Sequence, residues 1–174
     1  MERLRFQPLK QEDIPQIYAW LQQPHVREFY HPKPVLWEQT REHYTRRLDP
    51  GSPTKCFLSY AADHPIGYIQ TYRMADYPGY TAMLGETEGI SLDLFIGDPA
   101  YLEKGWGRAM LAKFLSDIVF PLYPDENVCW IYHDVTNQRA LRASQSAGFR
   151  HVRDFTEDGK AKQLLTLRRN EISC

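Results

Sequence analysis

One stretch, residues 90–115, constrains the fold more than any other part of the chain. Its first seven residues, ISLDLFI, form an apolar run that a single acid, Asp93, interrupts, and such a run indicates a buried strand. The run KGWGR at 104–108 follows, and apolar residues at helical spacing begin after it. Glycines at 105 and 107 allow several backbone N–H groups to approach one anion at the positive end of that helix. The stretch therefore predicts a strand, a phosphate-binding loop and a helix.

The loop lacks the common nucleotide-binding motifs. The sequence contains no G-x-x-x-x-G-K-[ST] run, and Met110 stands where a dinucleotide-binding loop has its third glycine. Two interpretations remain at this point. The loop binds a phosphate or pyrophosphate of another kind, or it is a turn that needs two glycines for its geometry alone.

Composition and charge exclude several classes of protein. A chain of 174 residues with 43% hydrophobic side chains predicts one globular domain, 1–174, with a sizeable core. A net charge of −1 does not indicate nucleic acid or an anionic membrane as a partner. No apolar run approaches the ~18 residues of a membrane span, and the first ten residues lack the core of a signal peptide, so we expect a cytoplasmic protein.

The three cysteines are Cys56, Cys129 and Cys174. Their number is odd, and they have neither C-x-x-C spacing nor a histidine at ligand spacing. We therefore expect no disulfide and no metal, with Cys56 and Cys129 in the core.

Periodicity along the chain predicts an α/β domain with a mixed sheet. The predicted strands are 4–8, 56–61, 66–72, 90–96, 128–132 and 164–167, and the predicted helices are 14–21, 36–48, one that begins after Gly107 and stops near Pro121, and one from Asn137 to Gly148. Turn residues at 62–65 join two of these strands as a hairpin. Prolines favour loops at 25–32 and 77–79, and residues 85–89 form an acidic segment before the central strand.

Three motifs together resemble the acetyl-CoA-binding core of the GCN5-related N-acetyltransferase (GNAT) superfamily. They are KGWGR at 104–108, NxRA at 137–140 and AGF at 147–149. The resemblance covers nearly the whole chain. It implies the GNAT fold, in which a mixed, mostly antiparallel sheet is flanked by helices and one strand pair splays at the acyl-CoA site. It also implies acetyl-CoA as the acetyl donor, without a metal.

The resemblance assigns roles to residues of these motifs. The glycine-loop amides hold the CoA pyrophosphate, the preceding strand offers a backbone amide to the thioester carbonyl, and Asn137 orients the pantetheine arm. The residues that it assigns to acetyl-CoA are Phe95, Ile96, Lys104, Gly105, Trp106, Gly107, Arg108, Asn137 and Ala140. One departure is Leu102, because the superfamily often has Gln or Arg at this position.

Three further stretches resemble the aminoglycoside 6′-N-acetyltransferases of the Ib-like group. They are WLxxxHVxEFY at 20–30, IGYIQTY at 66–72 and the acidic segment that leads to Asp93. This resemblance implies the 6′-amine of an aminoglycoside as the acceptor. The residues that it assigns to the substrate are Glu28, Tyr30, Tyr68, Gln70, Glu86, Glu88, Asp93 and Asp134, of which Asp93 is also the candidate catalytic residue. Ser144 stands where this group commonly has a tyrosine proposed as general acid.

The chemistry of amine acylation gives Asp93 a role. A protonated amine has no lone pair, and at a pKa of ~10 only about one in a thousand is neutral at pH 7. A carboxylate can bind the ammonium and then take its proton, directly or through water. An acid inside an apolar strand is costly unless it has a partner or a function. The alternative is that Asp93 is satisfied by internal hydrogen bonds, and for Asp134 it is a helix cap.

Other acceptors stay open. Siderophore-pathway N-acyltransferases, which acylate a hydroxylamine, share the WxxxxHV pattern, and ribosomal-protein-type N-terminal acetyltransferases share the early helix. A module that binds acyl-CoA or docks a partner without catalysis is a third class. The acidic residues favour a polycationic sugar. We expect acetyl-CoA and a small-molecule amine as partners, no nucleic acid or membrane, and a monomer or weak homodimer.

Overall fold

A computed structural model describes residues 3–31 and 33–172. The strands in these residues are β1 (Leu4–Pro8), β2 (Lys55–Ala61), β3 (His64–Arg73), β4 (Ile90–Ile96), β5 (Val128–Asp134), β6 (Arg150–Glu157) and β7 (Lys160–Arg168). The helices are α1 (Ile14–Leu21), α2 (Pro24–Arg27), α3 (Trp37–Arg47), α4 (Pro78–Leu84), α5 (Trp106–Phe114), α6 (Phe120–Leu122), which follows a π-helical turn, and α7 (Gln138–Ser146). No helix in this described part of the chain has the length and apolar character needed to cross a membrane.

The strands of the described residues form one sheet in the order β1-β2-β3-β4-β5-β7-β6. The β1–β2, β5–β7 and β6–β7 pairs are antiparallel, whereas β4 and β5 are parallel. Two parallel strands need a long crossover between them, and α5 lies in the segment that connects β4 to β5. The predicted mixed, mostly antiparallel sheet flanked by helices is confirmed.

The parallel pair is short. Its register consists of Ile90 opposite Cys129 and Ser91 opposite Trp130, although β5 continues to Asp134. Within the described residues, the register of this pair ends at Ser91 and Trp130. An early end of the ladder is what the predicted splay of one strand pair requires.

The chain divides into two compact units. The first contains Met1–Gln70 and Leu94–Lys104, and the second contains Thr71–Asp93 and Gly105–Cys174. Strands β3 and β4 each contribute residues to both. The expectation of a single domain over 1–174 stays a prediction.

Each unit has its own apolar cluster. In the first unit, Ile14, Ile17 and Trp20 of α1 pack with Tyr68 and Phe95. The second unit contains a cluster of Met74, Leu84, Trp130 and Leu164, against which Tyr80, Tyr132 and Phe155 pack. Cys56 and Cys129 are buried, as predicted, and Cys174 lies outside the described residues.

Two loop predictions are wrong. Residues 24–27 form α2, and residues 78–84 form α4, each with a proline as its first residue. Proline is tolerated there because the first N–H of a helix has no carbonyl partner inside the helix. Gly85 ends α4 in the left-handed conformation, with φ 67°, which glycine adopts without strain. Pro32, which also belongs to the predicted loop at 25–32, lies outside the described residues.

We predict that Gly67→Ala destabilises the protein. A Cβ at Gly67 would lie 2.4 Å from the backbone oxygen of Phe95, and a backbone atom cannot rotate away. The expected loss is about 1–3 kcal/mol in the free energy of unfolding, measured in urea. Gly79→Ala is the matched control, because a Cβ there has no heavy atom within 4 Å. Equal stability of the two variants would contradict this account of the packing.

Candidate active site

Asp93 lies in the second unit, half-buried on β4. Its carboxylate is close enough to the phenols of Tyr72, Tyr80 and Tyr132 to act on the ionisation of all three. The phenol of Tyr72 is hydrogen-bonded to Asp93. These rings come from three different elements, β3, α4 and β5. The sheet and α4 thus bring an acid and three phenols together.

The rings belong to a continuous aromatic row in the second unit. Ring centroids are 4.9 Å apart for Tyr77 and Tyr72, 5.7 Å for Tyr72 and Tyr80, and 6.0 Å for Tyr80 and Tyr132. Phe155 of β6 extends the row, 5.3 Å from Tyr132. Aromatic faces carry partial negative charge, so a row beside a carboxylate favours a cation.

The phenols stay protonated. Burial first, and then the charge of Asp93, raises the pKa of Tyr72 above its usual value. Burial is also the largest cause that raises the pKa of Tyr80 and Tyr132, and their neighbours in the row add to it. At neutral pH these tyrosines are therefore hydrogen-bond donors, and Asp93 is the group among the four that can take a proton.

Two of the predicted substrate acids already have cationic partners. An Oε1 atom of Glu86 lies 2.7 Å from Nη1 of Arg153, and Oδ2 of Asp134 lies 3.5 Å from Nζ of Lys162. The same Lys162 ammonium lies 3.7 Å from Glu157, whose Oε1 accepts a hydrogen bond of 2.9 Å from Tyr132. The acidic side of this unit is therefore partly neutralised by its own lysine and arginine.

Asp134 also caps the turn before α7. It accepts hydrogen bonds from the backbone N of Thr136 at 3.0 Å and from its Oγ1 at 2.6 Å. Burial opposes the ionisation of Asp134, but these hydrogen bonds and the charge of Lys162 outweigh it and lower the pKa of Asp134. The capping alternative thus describes its present contacts, and a role in substrate binding stays a prediction.

Glu88 is exposed, and its backbone carbonyl accepts a hydrogen bond of 2.9 Å from Nε1 of Trp130. That contact fixes the acidic segment against β5. The side chain of Glu88 faces solvent, so its carboxylate acts on a ligand through its field.

The predicted phosphate loop has the geometry of an anion site. Gly105 is the N-cap of α5, with φ 83° and ψ −1°, a left-handed conformation that disfavours any residue with a Cβ. The first helical bond runs from the N of Ala109 to the O of Gly105, at 3.1 Å. The N–H groups of residues 106–108 therefore come before the first N–H that bonds to a carbonyl of this helix. Lys104 and Arg108 are exposed beside them, whereas the indole of Trp106 is buried, so only its backbone can serve a ligand.

Asn137 and Ala140 form the N-cap of α7. Oδ1 of Asn137 accepts a hydrogen bond of 3.2 Å from the backbone N of Ala140. This cap fixes both residues at the start of the helix that follows β5. Their predicted contact with the pantetheine arm stays a prediction.

Ser144 does not offer a proton donor at the surface. It is fully buried on α7, and its Oγ lies 2.7 Å from Nε2 of His133 on β5. Burial, and then the charge of Lys162, lowers the pKa of His133 to about 4, so this imidazole is neutral at pH 7. The Ser144–His133 pair therefore joins α7 to β5 without supplying a direct acid for a leaving thiolate.

The first unit contains the other predicted residues. Tyr30 is half-buried with its ring centroid 4.7 Å from that of Phe95, and Glu28 follows the last residue of α2. The backbone carbonyl of Ile96 accepts a hydrogen bond of 3.0 Å from Nε2 of His25, so that nitrogen carries a proton. These contacts are local to the first unit.

Tyr68 and Gln70 are placed differently from their predicted role. Tyr68 is 0% exposed, and its phenol donates to Oε1 of Gln70 at 2.7 Å. Gln70 is buried as well and accepts a hydrogen bond from Arg47. Tyr68 has no exposed surface in this structure, so its predicted contact with substrate is not supported by its position and stays a prediction. It belongs to the core.

Tyr72, Tyr80 and Tyr132 are not among the site residues predicted from the sequence. A signal was present for two of them, because alternate residues of a strand share a face. Tyr132 lies between Trp130 and Asp134 in that alternation, and Tyr72 continues the alternation of the IGYIQTY stretch. No sequence pattern indicated Tyr80, because its segment was predicted as a loop.

A mixed sheet with a parallel β4–β5 pair, and a glycine-capped α5 between these two strands, is consistent with an acetyltransferase domain of the GNAT type. The chain belongs to this family: the sequence model described as "Acetyltransferase (GNAT) domain" matches residues 10–156.

Three solved structures are similar over almost the whole chain. AAC(6′)-Ib in complex with paromomycin and acetyl-CoA has a TM-score of 0.81 at 18% identity, covering 98% of this chain and 96% of that one. An aminoglycoside N(6′)-acetyltransferase from Legionella pneumophila has 0.75 at 20%, covering 99% and 95%. Spermidine N-acetyltransferase from Vibrio cholerae, in complex with CoA and spermine, has 0.77 at 13%, covering 97% of each. At these identities the likeness shows a shared fold.

We predict that Asp134→Asn lowers stability at neutral pH. Because the pKa of Asp134 is lowered in the folded state, its charge stabilises the fold above the unfolded carboxyl pKa of ~3.9, and this contribution disappears as pH falls through the folded pKa. The expected loss in unfolding free energy is about 1–2 kcal/mol at pH 7, shrinking at pH 3.5. Urea denaturation at both pH values measures it.

Asp63→Asn is the control for charge removal. Asp63 is fully exposed while it pairs with Arg5 at 3.0 Å, so its loss should change stability little. A pH-independent effect of Asp134→Asn, or one no larger than the control, would contradict the assigned ion pair.

Proposed function

We propose that this protein is an acetyl-CoA-dependent N-acetyltransferase that acylates a primary amine of a small polycationic acceptor, namely the 6′-amine of an aminoglycoside. The observation that carries the proposal is Asp93, a carboxylate on β4 among three protonated phenols. Membership in the GNAT family supplies the reaction class.

The second unit has residues that fit the pyrophosphate of acetyl-CoA. The backbone amides at 106–108, the left-handed Gly105 and the exposed Arg108 would hold it at the start of α5. When bound, acetyl-CoA supplies the acetyl group as an activated thioester. The amides of the first helical turn need no rearrangement to bind an anion, so they lower the entropy cost of binding.

Asp93 would act on the acceptor in two ways. Its negative charge holds the ammonium group of the amine beside the ring faces of Tyr72, Tyr80 and Tyr132. It then accepts a proton from the nitrogen, directly or through one water, which frees the lone pair for attack. The attack is direct, in a ternary complex, so the protein needs to hold both substrates at once.

The carboxylates beside the tyrosine row support a cationic acceptor. Asp93 acts on the ionisation of Tyr72, Tyr80 and Tyr132, and Glu157 accepts a hydrogen bond from Tyr132. Carboxylates next to ring faces attract a polyamine. The similar structures are named for aminoglycoside and spermidine acetylation, and both of these acceptors are polyamines.

A turnover panel tests the acceptor. Purified protein is mixed with acetyl-CoA and, separately, a kanamycin-type aminoglycoside, spermidine, a hydroxylamine siderophore precursor and an N-terminal peptide, while the released thiol is measured. Fastest turnover with the aminoglycoside supports the proposal. Preference for another acceptor overturns the aminoglycoside assignment, and thiol release with none of them favours a binding module.

We predict that Asp93→Asn lowers kcat/KM by about 10²- to 10⁴-fold at pH 7, the range expected for loss of a general base. The substitution keeps size and polarity but removes charge and basicity. Acetyl-CoA affinity, measured by calorimetry, should stay unchanged. Raising the pH should restore part of the rate, since more of the amine is then neutral in solution.

The matched control for this variant is Asp117→Asn. Asp117 belongs to the same unit but pairs with Lys113 at 2.6 Å on the partly exposed face of a helix. A folded Asp93→Asn protein that acetylates at the wild-type rate at pH 7 would show that Asp93 is structural.

A further inference from the structure

Three hydroxyl groups lie in series beside Asp93. Oη of Tyr80 is 2.9 Å from Oγ of Ser91, and Oγ of Ser91 is 3.4 Å from the backbone carbonyl oxygen of Trp130. The ring of Tyr72 packs edge-on against that of Tyr80, with centroids 5.7 Å apart, and its phenol is hydrogen-bonded to Ser91, Tyr80 and Asp93. A series of hydroxyl groups therefore runs from the Trp130 carbonyl through Ser91, Tyr80 and Tyr72 to the carboxylate, and Ser91 also reaches Tyr72 directly.

The two ends of the series are inside the protein. Ser91 is 0% exposed and Tyr72 is 7% exposed, while Tyr80 between them is half-buried. Water does not readily reach Ser91 and Tyr72, so their hydrogen bonds have to be made with protein groups. Ser91 lies in an apolar strand, two residues before Asp93 and on the same face. Its contacts within the series explain why a serine stands at this position.

We propose that Ser91, Tyr80 and Tyr72 form a hydroxyl chain that positions Asp93 and reverses the direction of its hydrogen bonds when Asp93 gains or loses a proton. The positioning of the carboxylate is independent of the reaction, and the catalytic meaning of the chain rests on the proposed function.

With Asp93 ionised, each hydroxyl points toward it. The carboxylate can only accept, so Tyr72 donates to it, and the single O–H of Tyr72 is then used. The oxygen of Tyr72 accepts from Tyr80, whose own oxygen accepts from Ser91. All three donors thus stabilise the negative charge, and aligned hydrogen bonds strengthen one another.

With Asp93 protonated, the chain can run the other way. The carboxylic acid donates to the Tyr72 oxygen, Tyr72 donates to Tyr80, and Tyr80 donates to Ser91. Ser91 then donates to the Trp130 carbonyl, which is the acceptor that ends the series. No proton leaves the chain in this change, because each hydroxyl only rotates about its C–O bond. The proton taken from the amine stays on Asp93 until solvent removes it.

Tyr72 is therefore a positioning residue for the general base. Among the titratable groups packed against Asp93 from β3, α4 and β5 are Tyr72, Tyr80 and Tyr132, and all three phenols stay protonated at neutral pH. Tyr132 is outside the chain, since its phenol donates to Glu157 at 2.9 Å. Removing the Tyr72 hydroxyl takes away a donor that favours the ionised form more than the protonated one.

The test is Tyr72→Phe, which keeps the ring and removes the donor. Protein labelled with ¹³C at aspartate carboxyl carbons is titrated by NMR, and the Asp93 signal is assigned by its absence in Asp93→Asn. We expect the Asp93 titration midpoint to rise by about one to two pH units, because charge-assisted hydrogen bonds are worth that much. The acid limb of the pH profile of kcat/KM should move to higher pH by the same amount. The value of kcat/KM should therefore fall about 10-fold or more at low pH, and this loss should shrink at high pH.

Tyr80→Phe and the double variant separate a chain from independent contacts. Tyr80→Phe should raise the midpoint by a smaller amount, and the double variant should show no more than Tyr72→Phe alone, because the broken chain no longer transmits the second change. Tyr18→Phe is the control, a half-buried tyrosine in the first unit whose ring packs on Trp37 at 5.5 Å. It should change neither the midpoint nor the rate.

An unchanged Asp93 midpoint in folded Tyr72→Phe protein would overturn the proposal, whatever happens to the melting temperature. Additive shifts in the double variant would also overturn it. The NMR readout does not depend on turnover. If the titration behaves as expected while the wild-type protein acetylates no amine, the chain stands and the proposed function fails.

Discussion

A carboxylate inside a protein costs free energy unless hydrogen-bond donors surround it. In the second unit, phenols lie around the carboxylate of Asp93. A phenol donates a hydrogen bond without carrying a positive charge, so Tyr72 stabilises the charge of Asp93 without cancelling it. Glu86 and Asp134 pair directly with the cations Arg153 and Lys162.

The short β4–β5 ladder and the glycine-capped α5 complete the arrangement. Within the described residues, the ladder has its last pair at Ser91 and Trp130. Gly105 then starts α5 in a left-handed conformation, which places the first amides of the helix at its positive end. The proposed anion site and the proposed cation site thus belong to the same unit, as transfer from acetyl-CoA to an amine would require.

The sequence predicted the strands and the glycine loop well because both depend on local patterns. The sequence also predicted Asp93 as a candidate catalytic residue, because an acid is rare within an apolar strand. It did not predict α4, since Pro78 and Gly79 favour a loop, while burial of Leu84 and Tyr80 in the apolar cluster outweighs that preference. The burial of Tyr68 was not predicted either, because it depends on partners distant in sequence, here Tyr44 and Phe95, that no local pattern reveals.

Binding of the acceptor amine at Asp93 can be tested by a crystal structure with CoA and an amine that turns over. The reacting nitrogen is expected within hydrogen-bonding distance, roughly 2.7–3.2 Å, of the Asp93 carboxylate, with ring faces of the tyrosine row beside it. The CoA pyrophosphate is expected at the amides of 106–108. An amine bound away from Asp93, with CoA in place, would contradict this binding mode.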